Sequence, residues 1–326
     1  DLPLHALGLN HDELYYFRED IRHLSQPTNK VHAIFVKNFK EDFKCKVMDA
    51  FVDSYLKGWT PNPCIECNRH LKFAHLYRTA KDLECDVIVT GHYARIIEED
   101  GRYIMKRAAD LSKDQSYVLY SLSKEQLASI RFPLGDLTKE EVRRIAEAHA
   151  FINSDKRDSQ DICFIPDGDY RRFMEEEYGV HVEAGDFVST EGKVLGKHRG
   201  YYAYTIGQRK GLGIPASEPY YFVDIIPEKN QVVLGSNADL MQTALIAGNM
   251  NLLVDNIPSR VQAKVRYRQQ AQEAAVEILS DGQAKIVFEE PQRAITKGQA
   301  VVIYDGEQVL GGGTIIEVLR RSESIG

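Results

Sequence analysis

Residues 86–93, DVIVTGHY, decide the fold class of this chain. The β-branched residues at the start of this stretch show little polar alternation, which is typical of a parallel strand covered on both faces. The apolar run at residues 32–36, HAIFV, predicts another buried strand, and apolar spacing predicts a helix containing Phe43, Val47 and Tyr55 between the two. A further helix is predicted over about residues 69–83. This alternation predicts an α/β domain with a parallel sheet.

The second half of the chain has a different sequence pattern. From about residue 180 onward, short alternating segments are separated by turn dipeptides such as Asp281-Gly282 and Asp305-Gly306. We expect this half to be all-β, in one or two small barrels. Upstream, Asp100-Gly101 predicts a hairpin, and the capping-box pairs Ser123/Gln126 and Thr138/Glu141 each predict the start of a helix.

Composition is typical of an ordinary globular protein, with 43% hydrophobic and 27% charged residues. Five cysteines in 326 residues are too few and too unevenly spaced for a disulfide scaffold. The net charge of −7 argues against a generally basic surface, although a local basic stripe could still contact nucleic acid. We find no leader-like segment and no apolar run of about 20 residues. The expected compartment is the cytoplasm, without a membrane partner.

Two polar, cysteine-bearing stretches carry the strongest chemical signal: TPNPCIECN at residues 60–68 and DSQDICF at residues 158–164. We expect both on loops that meet at the rim of the sheet. A C-x-x-C pair suits redox exchange or half of a metal site, and two structural thiols are the plain alternative. With Cys163 as a third sulfur, Cys64 and Cys67 could hold an iron–sulfur cluster. Cys45 and Cys85 are predicted to be inert core thiols.

Three further segments could contact a ligand. Gly91-His92-Tyr93 follows the predicted strand, where ligands of open α/β sheets bind, although a tight strand exit is the simpler explanation. The loop at residues 207–213, GQRKGLG, could contact the phosphates of a large anion or could simply be solvated. In residues 261–268, alternation predicts a strand with a row of three cations on one face, which suits phosphate contact. These cations are Lys264, Arg266 and Arg268. The glycines at residues 311–313 predict a bulge or a tight barrel corner.

Taken in order, these motifs resemble the bacterial tRNA-specific 2-thiouridylases, the tRNA-uridine 2-sulfurtransferases. The similarity runs from about residue 38 to residue 319 and is carried by TPNPCIECNRHLKF, VTGHYAR, KDQSYVLY, RDSQDICFIPDGDYRRF, YTIGQRKGLGI, VRYRQ and PQRAITKGQAVVIYDGEQVLGGG. The resemblance implies a Rossmann-like parallel-sheet domain of the ATP-pyrophosphatase (HUP) type, followed by two small β-barrel domains. We place these domains at residues 1–170, 171–240 and 241–326.

The resemblance also implies a reaction. ATP with Mg²⁺ would adenylate the 2-carbonyl oxygen of the wobble uridine in tRNA, and a sulfur-donor protein would supply sulfur as a persulfide. Cys163 would carry the persulfide, and Cys67 would be the nucleophile that releases the sulfur or closes a disulfide with Cys163. Thiols suit this exchange, because a thiolate attacks sulfur well at neutral pH.

Several positions match binding residues of the family. Asn62, Pro63 and Cys64 match the segment that faces the target base, although many members have Asp at the position of Cys64. Gly91 matches an ATP contact. The contacts to the tRNA anticodon arm would be His92, Lys113, Asp114, Gln115, Arg266, Tyr267 and Gln299.

One feature of the family is missing from these 326 residues. The family opens with a strand and a Ser-Gly-Gly-Val-Asp-Ser loop whose backbone amides bind the ATP phosphates. The sequence contains no such loop, and residues 1–30 do not resemble the family. We therefore expect an α/β domain that is incomplete at its N-terminal side, with weak or absent adenylation by this polypeptide. The alternative function is a tRNA-binding remnant without ATP activation, and a third is a cluster-dependent enzyme.

Overall fold

The computed structural model describes residues 38–151, 162–181 and 183–319, together with the backbone of two short strands upstream. These strands, β1 (Leu14–Tyr16) and β2 (Phe35–Lys37), pair in antiparallel orientation. The strand predicted at residues 32–36 overlaps β2, and its remainder lies outside the described residues. No helix within the described ranges is long and apolar enough to cross a membrane.

Two long helical runs follow β2. The first consists of α1 (Lys40–Phe43), a π-helical stretch (Lys44–Asp49) and α2 (Ala50–Leu56). The second consists of α3 (Pro63–Glu66), a π-helical stretch (Cys67–Phe73) and α4 (Ala74–Asp82), and we call it the thiol helix. Four shorter α-helices follow in the described residues: α5 (Ser116–Leu119), α6 (Lys124–Ser129), α7 (Lys139–Ala148) and α8 (Tyr170–Tyr178).

The predicted parallel pairing is present in β3 (Ile88–Val89) and β6 (Ile130–Arg131), which form a two-stranded parallel pair. The prediction that the strand is covered on both faces is wrong for the part of the molecule that is described. Ile88 is buried, whereas Val89 on the opposite face is 58% exposed. Only one face of β3 is therefore packed by the described residues.

The local signals for turns and helix starts are confirmed. Asp100 and Gly101 both have positive φ, at 50° and 73°, between β4 (Arg95–Glu99) and β5 (Arg102–Lys106). Both capping boxes form, at the starts of α6 and α7. These features depend on a few neighbouring residues, which explains why sequence alone predicts them.

The next domain is seen as a four-stranded sheet rather than as a closed barrel in the described residues. Its strands are β7 (Gly185–Ser189), β8 (Val194–His198), β9 (Tyr221–Ile226) and β10 (Gln231–Gly235). Their order is β8-β7-β10-β9, in which β7 and β10 run parallel. Phe187, Phe222 and Val232 of this sheet share one hydrophobic core with Phe51 of α2. The sheet is therefore packed onto the helices of the α/β part.

The C-terminal part is a closed six-stranded barrel. Its strands are β11 (Met241–Leu252), β12 (Arg260–Lys264), β13 (Gln272–Ile278), β14 (Ala284–Arg293), β15 (Ala300–Asp305) and β16 (Gln308–Leu319). They pair in the order β11-β14-β13-β12-β15-β16, and β16 returns to β11. Closure removes free edges, and Leu245, Ile286 and Ile315 are fully buried inside. The hairpin of β4 and β5 adds to the outside of β16.

The glycine run in β16 lies at a tight approach between strands, as predicted. A Cβ on Gly311 would collide with the backbone of Asn251 and Leu252. The β11–β16 register also shifts between Gly248 and Asn251, beside this run. Small residues are needed here because the backbones approach closely at the bulge.

Candidate active site

The C-x-x-C pair lies at the start of the thiol helix and not on a loop. Asn62 is the N-cap, and its side-chain oxygen accepts a hydrogen bond from the Cys64 amide at 3.2 Å. Pro63 occupies the first helical position, where a missing N–H costs nothing. The helix therefore begins six residues before the predicted start at Arg69. The Asn-Pro pair is the N-cap signal of this helix, in a segment that the sequence predicts to be a loop.

Cys67 begins the π-helical stretch of the thiol helix. Leu71 and Phe73, further along this stretch, are fully buried and anchor it to the protein core. Such π-helical segments are rare and often occur at functional sites. They change which residues share a face with Cys67, so simple 3.6-residue spacing does not describe its neighbours.

Cys163 lies in a turn, as predicted, and the next residue fixes the turn to the core. The Ile165 amide donates to the Ile162 carbonyl at 2.9 Å, which closes the turn. The Phe164 ring packs against Phe51, with ring centroids 5.4 Å apart. Cys67 packs against the same hydrophobic core. Residues 158–161 of this motif lie outside the described residues.

Three thiols lie near enough to affect one another's pKa values, and we call Cys64, Cys67 and Cys163 the thiol cluster. Burial raises the pKa of Cys67 to about 11, the positive charge of Lys72 opposes this rise, and the neighbouring Cys163 and Cys64 add to it. Burial also raises the pKa values of Cys64 and Cys163, even though both residues keep exposed surface. All three are free thiols. At neutral pH they are therefore mainly protonated.

Lys72 is a residue that sequence reasoning missed. It lies on the same π-helical stretch as Cys67, five residues further on. Its charge lowers the pKa of each thiol in the cluster, and it also acts on His92. The sequence signal for it is a cation one turn beyond a candidate nucleophile, within the helix predicted over about residues 69–83.

The other two cysteines contradict the prediction of core thiols, because Cys45 and Cys85 are both exposed. On the first helical run, the buried face is formed by neighbours such as Phe43 and Val47, so Cys45 points away from the core. Cys85 follows the end of α4 and precedes β3.

The iron–sulfur alternative lacks a prepared ligand set. In the part of the chain that the structure describes, no group of three or more His, Cys, Asp or Glu side chains is arranged to hold a metal ion. All three thiols of the cluster belong to that part. A metal would therefore require a rearrangement of the thiol cluster.

A cavity of about 130 Å³ lies next to the thiol helix. Residues of α2 and of the segment from Trp59 to Glu66 form one side, and Gly298, Ala300 and Thr314 of the barrel form another. Of the three residues predicted to face the target base, Asn62 and Pro63 line this cavity, whereas Cys64 does not. The cavity therefore lies where the thiol helix begins and where the barrel meets it.

His92, a predicted tRNA contact, is held among protein groups. Its Nδ1 lies 2.8 Å from the Thr90 hydroxyl, and its ring contacts Phe73 and Phe132 at centroid distances of 5.5 and 5.8 Å. Burial, with a smaller contribution from Lys72, lowers the His92 pKa to about 3. The imidazole is therefore neutral at pH 7. The preceding Gly91, the predicted ATP contact, is exposed just beyond β3.

Two of the three residues in the Lys113-Asp114-Gln115 motif support the local structure. The buried Asp114 carboxylate accepts hydrogen bonds from the Ala108 amide at 3.0 Å and from the Ser116 hydroxyl at 2.7 Å. The Gln115 side chain accepts from the Tyr93 amide at 2.9 Å. Lys113 is partly exposed. The motif thus links two loops of the α/β part.

The predicted row of three cations is wrong, because β12 ends at Lys264. Its ladder with β15 stops at the pair of Lys264 and Val302, and the chain then turns. The Arg266 guanidinium donates to the carbonyl oxygens of Arg293 and Ala294. Strand propensity could not reveal where the partner strand ends.

An aromatic and cationic group replaces that row. The Lys264 ammonium lies 5.6 Å from the ring centroid of Tyr117 and 5.7 Å from that of Tyr267. Tyr267 is 40% exposed, so part of its side chain lies at the surface. Arg107 stacks on Tyr304, with its guanidinium carbon 4.0 Å from the ring centroid.

Gln299, the last predicted tRNA contact, bonds to the chain that leads into the thiol helix. Its Nε2 donates to the Thr60 carbonyl at 2.8 Å and to the Pro61 carbonyl at 3.3 Å. This contact joins the barrel to the cysteine-bearing segment. Sequence separation of more than 230 residues hid it.

Fold and site together define a thiol-bearing α/β protein with two appended β domains. Three family models match the chain in that order: the tRNA methyl transferase HUP domain over residues 16–167, the tRNA methyl transferase PRC-barrel domain over residues 171–236, and the aminomethyltransferase β-barrel domain over residues 242–315. The first match begins at residue 16, so the similarity extends further upstream than we expected. The coarse fold prediction, a HUP domain followed by two β domains, is confirmed.

Curated relatives identify the family. The tRNA-specific 2-thiouridylase MnmA of Carboxydothermus hydrogenoformans is 50% identical over 286 residues, which cover 86% of this chain and 78% of the relative. That of Clostridioides difficile is 47% identical over 303 residues, or 91% and 83% of the two chains. A Thermoanaerobacter sp. relative, tRNA-specific 2-thiouridylase MnmA 1, is 48% identical and covers 88% and 80%. The chain belongs to the tRNA-specific 2-thiouridylase family.

Proposed function

We propose that this chain performs the tRNA 2-thiolation of its family through a relay between two thiols. Cys163 carries the sulfur as a persulfide, and Cys67 releases it. The observation that supports this assignment is the thiol cluster itself. Two segments about a hundred residues apart in sequence pack on one hydrophobic core, and their thiols interact electrostatically.

In the proposed relay, sulfur is first released from Cys163 and then added to the uridine. Cys67 attacks the sulfur of Cys163 that bears the terminal sulfur, a disulfide forms between the two cysteines, and the terminal sulfur leaves as hydrogen sulfide. The sulfide adds to C2 of the activated wobble uridine, and AMP leaves with the former carbonyl oxygen. In this step the Cys67 sulfur is oxidised and the terminal sulfur is reduced, while the Cys163 sulfur keeps its oxidation state. A small dithiol reductant then restores both thiols.

Protonation controls the first step, because the thiolate and not the thiol is the nucleophile. In the tRNA-free protein the raised pKa of Cys67 keeps the thiol protonated and restrains attack. The positive charge of Lys72 acts in the opposite direction on all three thiols. We assign Lys72 as the group that favours the thiolate once the reaction begins.

ATP with Mg²⁺ is the proposed activating co-substrate. Adenylation of the uridine oxygen releases pyrophosphate and converts a poor leaving group into AMP. Gly91 would contact the nucleotide, since it lies at the carboxyl end of β3, the edge at which α/β sheets bind nucleotides. Any Mg²⁺ would be held mainly by the phosphates, because this ion keeps several waters and few protein ligands.

The tRNA anticodon arm is the proposed macromolecular substrate. Tyr267 is a partly exposed aromatic residue of the type on which unpaired RNA bases stack, and Lys113 is a partly exposed basic residue on the α/β side. Asn62 and Pro63 would face the target base from the cavity wall. We keep the domain boundaries near residues 170 and 240. The compartment that supplies both tRNA and reduced thiols is the cytoplasm.

The test combines the purified protein with ATP, Mg²⁺, a persulfide donor and unmodified tRNA. Nucleosides are then analysed for 2-thiouridine by mass spectrometry. We expect Cys163→Ser and Cys67→Ser to abolish 2-thiouridine, and Cys45→Ser, which changes an exposed thiol outside the thiol cluster, to leave the rate unchanged. A Cys163→Ser protein that works at the wild-type rate overturns the relay.

The alternative functions give different results in the same experiment. A tRNA-binding remnant without ATP activation retains tRNA without forming 2-thiouridine, and it shows no ATP binding. A cluster-dependent enzyme shows a visible absorption band after anaerobic purification. That band is lost in Cys64→Ser together with the activity, whereas the thiol relay does not require the Cys64 sulfur.

A further inference from the structure

The turn at residues 296–299 of the barrel, which we call the clamp turn, contacts the chain just before the thiol helix. The Thr60 amide donates to the Lys297 carbonyl at 2.8 Å. The Gln299 side chain returns two hydrogen bonds, to the carbonyls of Thr60 and Pro61. Both backbone polar groups of Thr60 are therefore bonded to the clamp turn.

Gly298 makes this contact close enough to be specific. It has φ of +87°, and a Cβ there would lie 3.0 Å from the Trp59 Cβ and 3.1 Å from backbone atoms of Thr60. A side chain at this position would push the two segments apart. The absence of a side chain lets the clamp turn lie directly on the backbone of Trp59 and Thr60.

The clamp turn is itself fixed to the barrel. The Gly298 amide donates to the Ile315 carbonyl, and the Ile315 amide donates to the Gln299 carbonyl, both at 2.8 Å. Ile315 is fully buried in β16. The closed barrel therefore fixes the position of the clamp turn, and the clamp turn in turn contacts the chain that leads into the thiol helix.

The chain between the clamp turn and the thiols is short and stiff. Thr60 and Asn62 each precede a proline, which restricts their backbones to extended conformations. Asn62 then caps the thiol helix at Cys64. A displacement at Thr60 would therefore move the helix start instead of being absorbed by the linking residues.

We propose that the clamp turn is a positioning element for sulfur transfer, in which Gln299 and Gly298 set the start of the thiol helix so that Cys67 faces Cys163. This inference rests on the proposed relay. It gives Gln299 a role besides the tRNA contact that resemblance implies. An amide NH₂ has two donors, and both are engaged by Thr60 and Pro61. A tRNA contact by Gln299 would use its carbonyl oxygen or break one of these bonds.

The test uses Gln299→Ala and Gln299→Glu in the full chain, and alkylation is measured without tRNA. The second change keeps the side-chain shape but replaces the two donors with oxygen atoms facing two carbonyls. We expect iodoacetamide to modify Cys67 about three- to ten-fold faster in both variants, measured by peptide mass spectrometry, because the helix start opens more often. The kcat for 2-thiouridine formation should fall about ten-fold, while the Kd for tRNA changes by less than about two-fold.

Gln283→Ala is the matched control, since Gln283 precedes β14 and thus lies at the opposite end of that strand from the clamp turn. It should leave both rates at wild-type values. If Gln299→Ala weakens tRNA binding but changes neither Cys67 alkylation nor kcat, Gln299 is a tRNA contact and the proposal is wrong. Should Gln299→Ala fail to fold by circular dichroism, the same readouts are taken on Gln299→Glu, and unchanged alkylation there overturns the proposal equally.

The alkylation readout also separates this proposal from the relay. It needs no sulfur donor, ATP or tRNA. Faster alkylation in Gln299→Ala, together with an active Cys163→Ser protein, would support the positioning role of the clamp turn and contradict the relay. Unchanged alkylation with an inactive Cys163→Ser protein would support the relay and contradict the positioning role.

Discussion

The thiol helix and the C-terminal barrel obtain their geometry in opposite ways. The barrel closes on itself through six pairings between neighbouring strands, and residues such as Leu245 and Ile315 are fully buried within it. The thiol helix is anchored by Leu71 and Phe73 on one side, and Cys64 at its start is exposed. The segment just before it is hydrogen-bonded to the barrel at Thr60 and Pro61. The proposed chemistry therefore lies on a helix whose preceding segment is held by the barrel.

The largest expected effect that separates the two regions is the loss of activity without loss of fold. Cys67→Ala should lower 2-thiouridine formation by about 10³-fold or more, because the proposed relay uses the Cys67 thiolate as its nucleophile. The residue is only partly buried, so the melting temperature should change little. Turnover assays and thermal melts on the same preparation check both parts. A large fall in melting temperature would mean that the thiol is a structural group.

In the barrel we expect the opposite result, a loss of stability without a loss of activity per folded molecule. Ile286→Ala removes a fully buried side chain and should cost about 2–5 kcal/mol of stability through the cavity that it leaves. Urea unfolding measures that loss. Activity per folded molecule should stay within about two-fold of wild type, since Ile286 belongs to the hydrophobic core of the barrel and none of the thiol cluster belongs to that core. A collapse of kcat in the folded fraction would show that the barrel core controls the site more directly than the clamp turn explains.

The same contrast between local and long-range contacts separates the features that the sequence predicts from those that it does not. The barrel hairpins at Asp281-Gly282 and Asp305-Gly306 and the capping box at Ser123 depend on adjacent residues, and each was predicted correctly. The length of β12 was not, because it depends on where its partner β15 stops pairing. Local patterns determine where turns and helix starts lie, whereas strand ends depend on partners distant in sequence.

The site divides in the same way. Residue type and resemblance singled out Cys67 and Cys163. They did not predict that the C-x-x-C pair is helical or that Lys72 acts on all three thiols. The two hydrogen bonds of Gln299, to Thr60 and to Pro61, could not be predicted either, since no period or spacing in the sequence relates residues so far apart.

The next effect concerns pH. Because the Cys67 pKa is raised from about 9 to about 11, its thiolate fraction at pH 7 is small and increases about ten-fold per pH unit until the pH approaches 11. The rate of Cys67 alkylation in tRNA-free protein should follow this rise without a plateau near pH 8.5. Rates measured by peptide mass spectrometry between pH 7 and pH 10 check it. A plateau below pH 9 would show that the thiol is not held protonated by burial.

Lys72 provides the control for that profile. Lys72→Gln removes a charge that lowers the Cys67 pKa, so alkylation at a fixed pH of 8 should slow by about two- to five-fold. Lys72→Arg keeps the charge and should restore most of the rate. Equal rates in Lys72→Gln and wild type would remove Lys72 from the account of thiol activation.

The smallest effect is expected at Cys64, the exposed thiol at the start of the thiol helix. Cys64 is the second residue of α3, and an acidic group in the first turn interacts favourably with the helix dipole, by about 0.3–1 kcal/mol. Cys64→Asp should therefore raise the melting temperature slightly, by about 1–2 °C. Cys64→Asn, which has the same shape without the charge, should not.

The added charge of Cys64→Asp also raises the Cys67 pKa further, so alkylation at pH 8 should slow slightly in the Asp variant alone. Both variants should retain 2-thiouridine formation, since the relay uses only Cys67 and Cys163. If both lost activity together, the Cys64 sulfur would itself take part in the chemistry, and the thiol helix would carry two reactive groups instead of one.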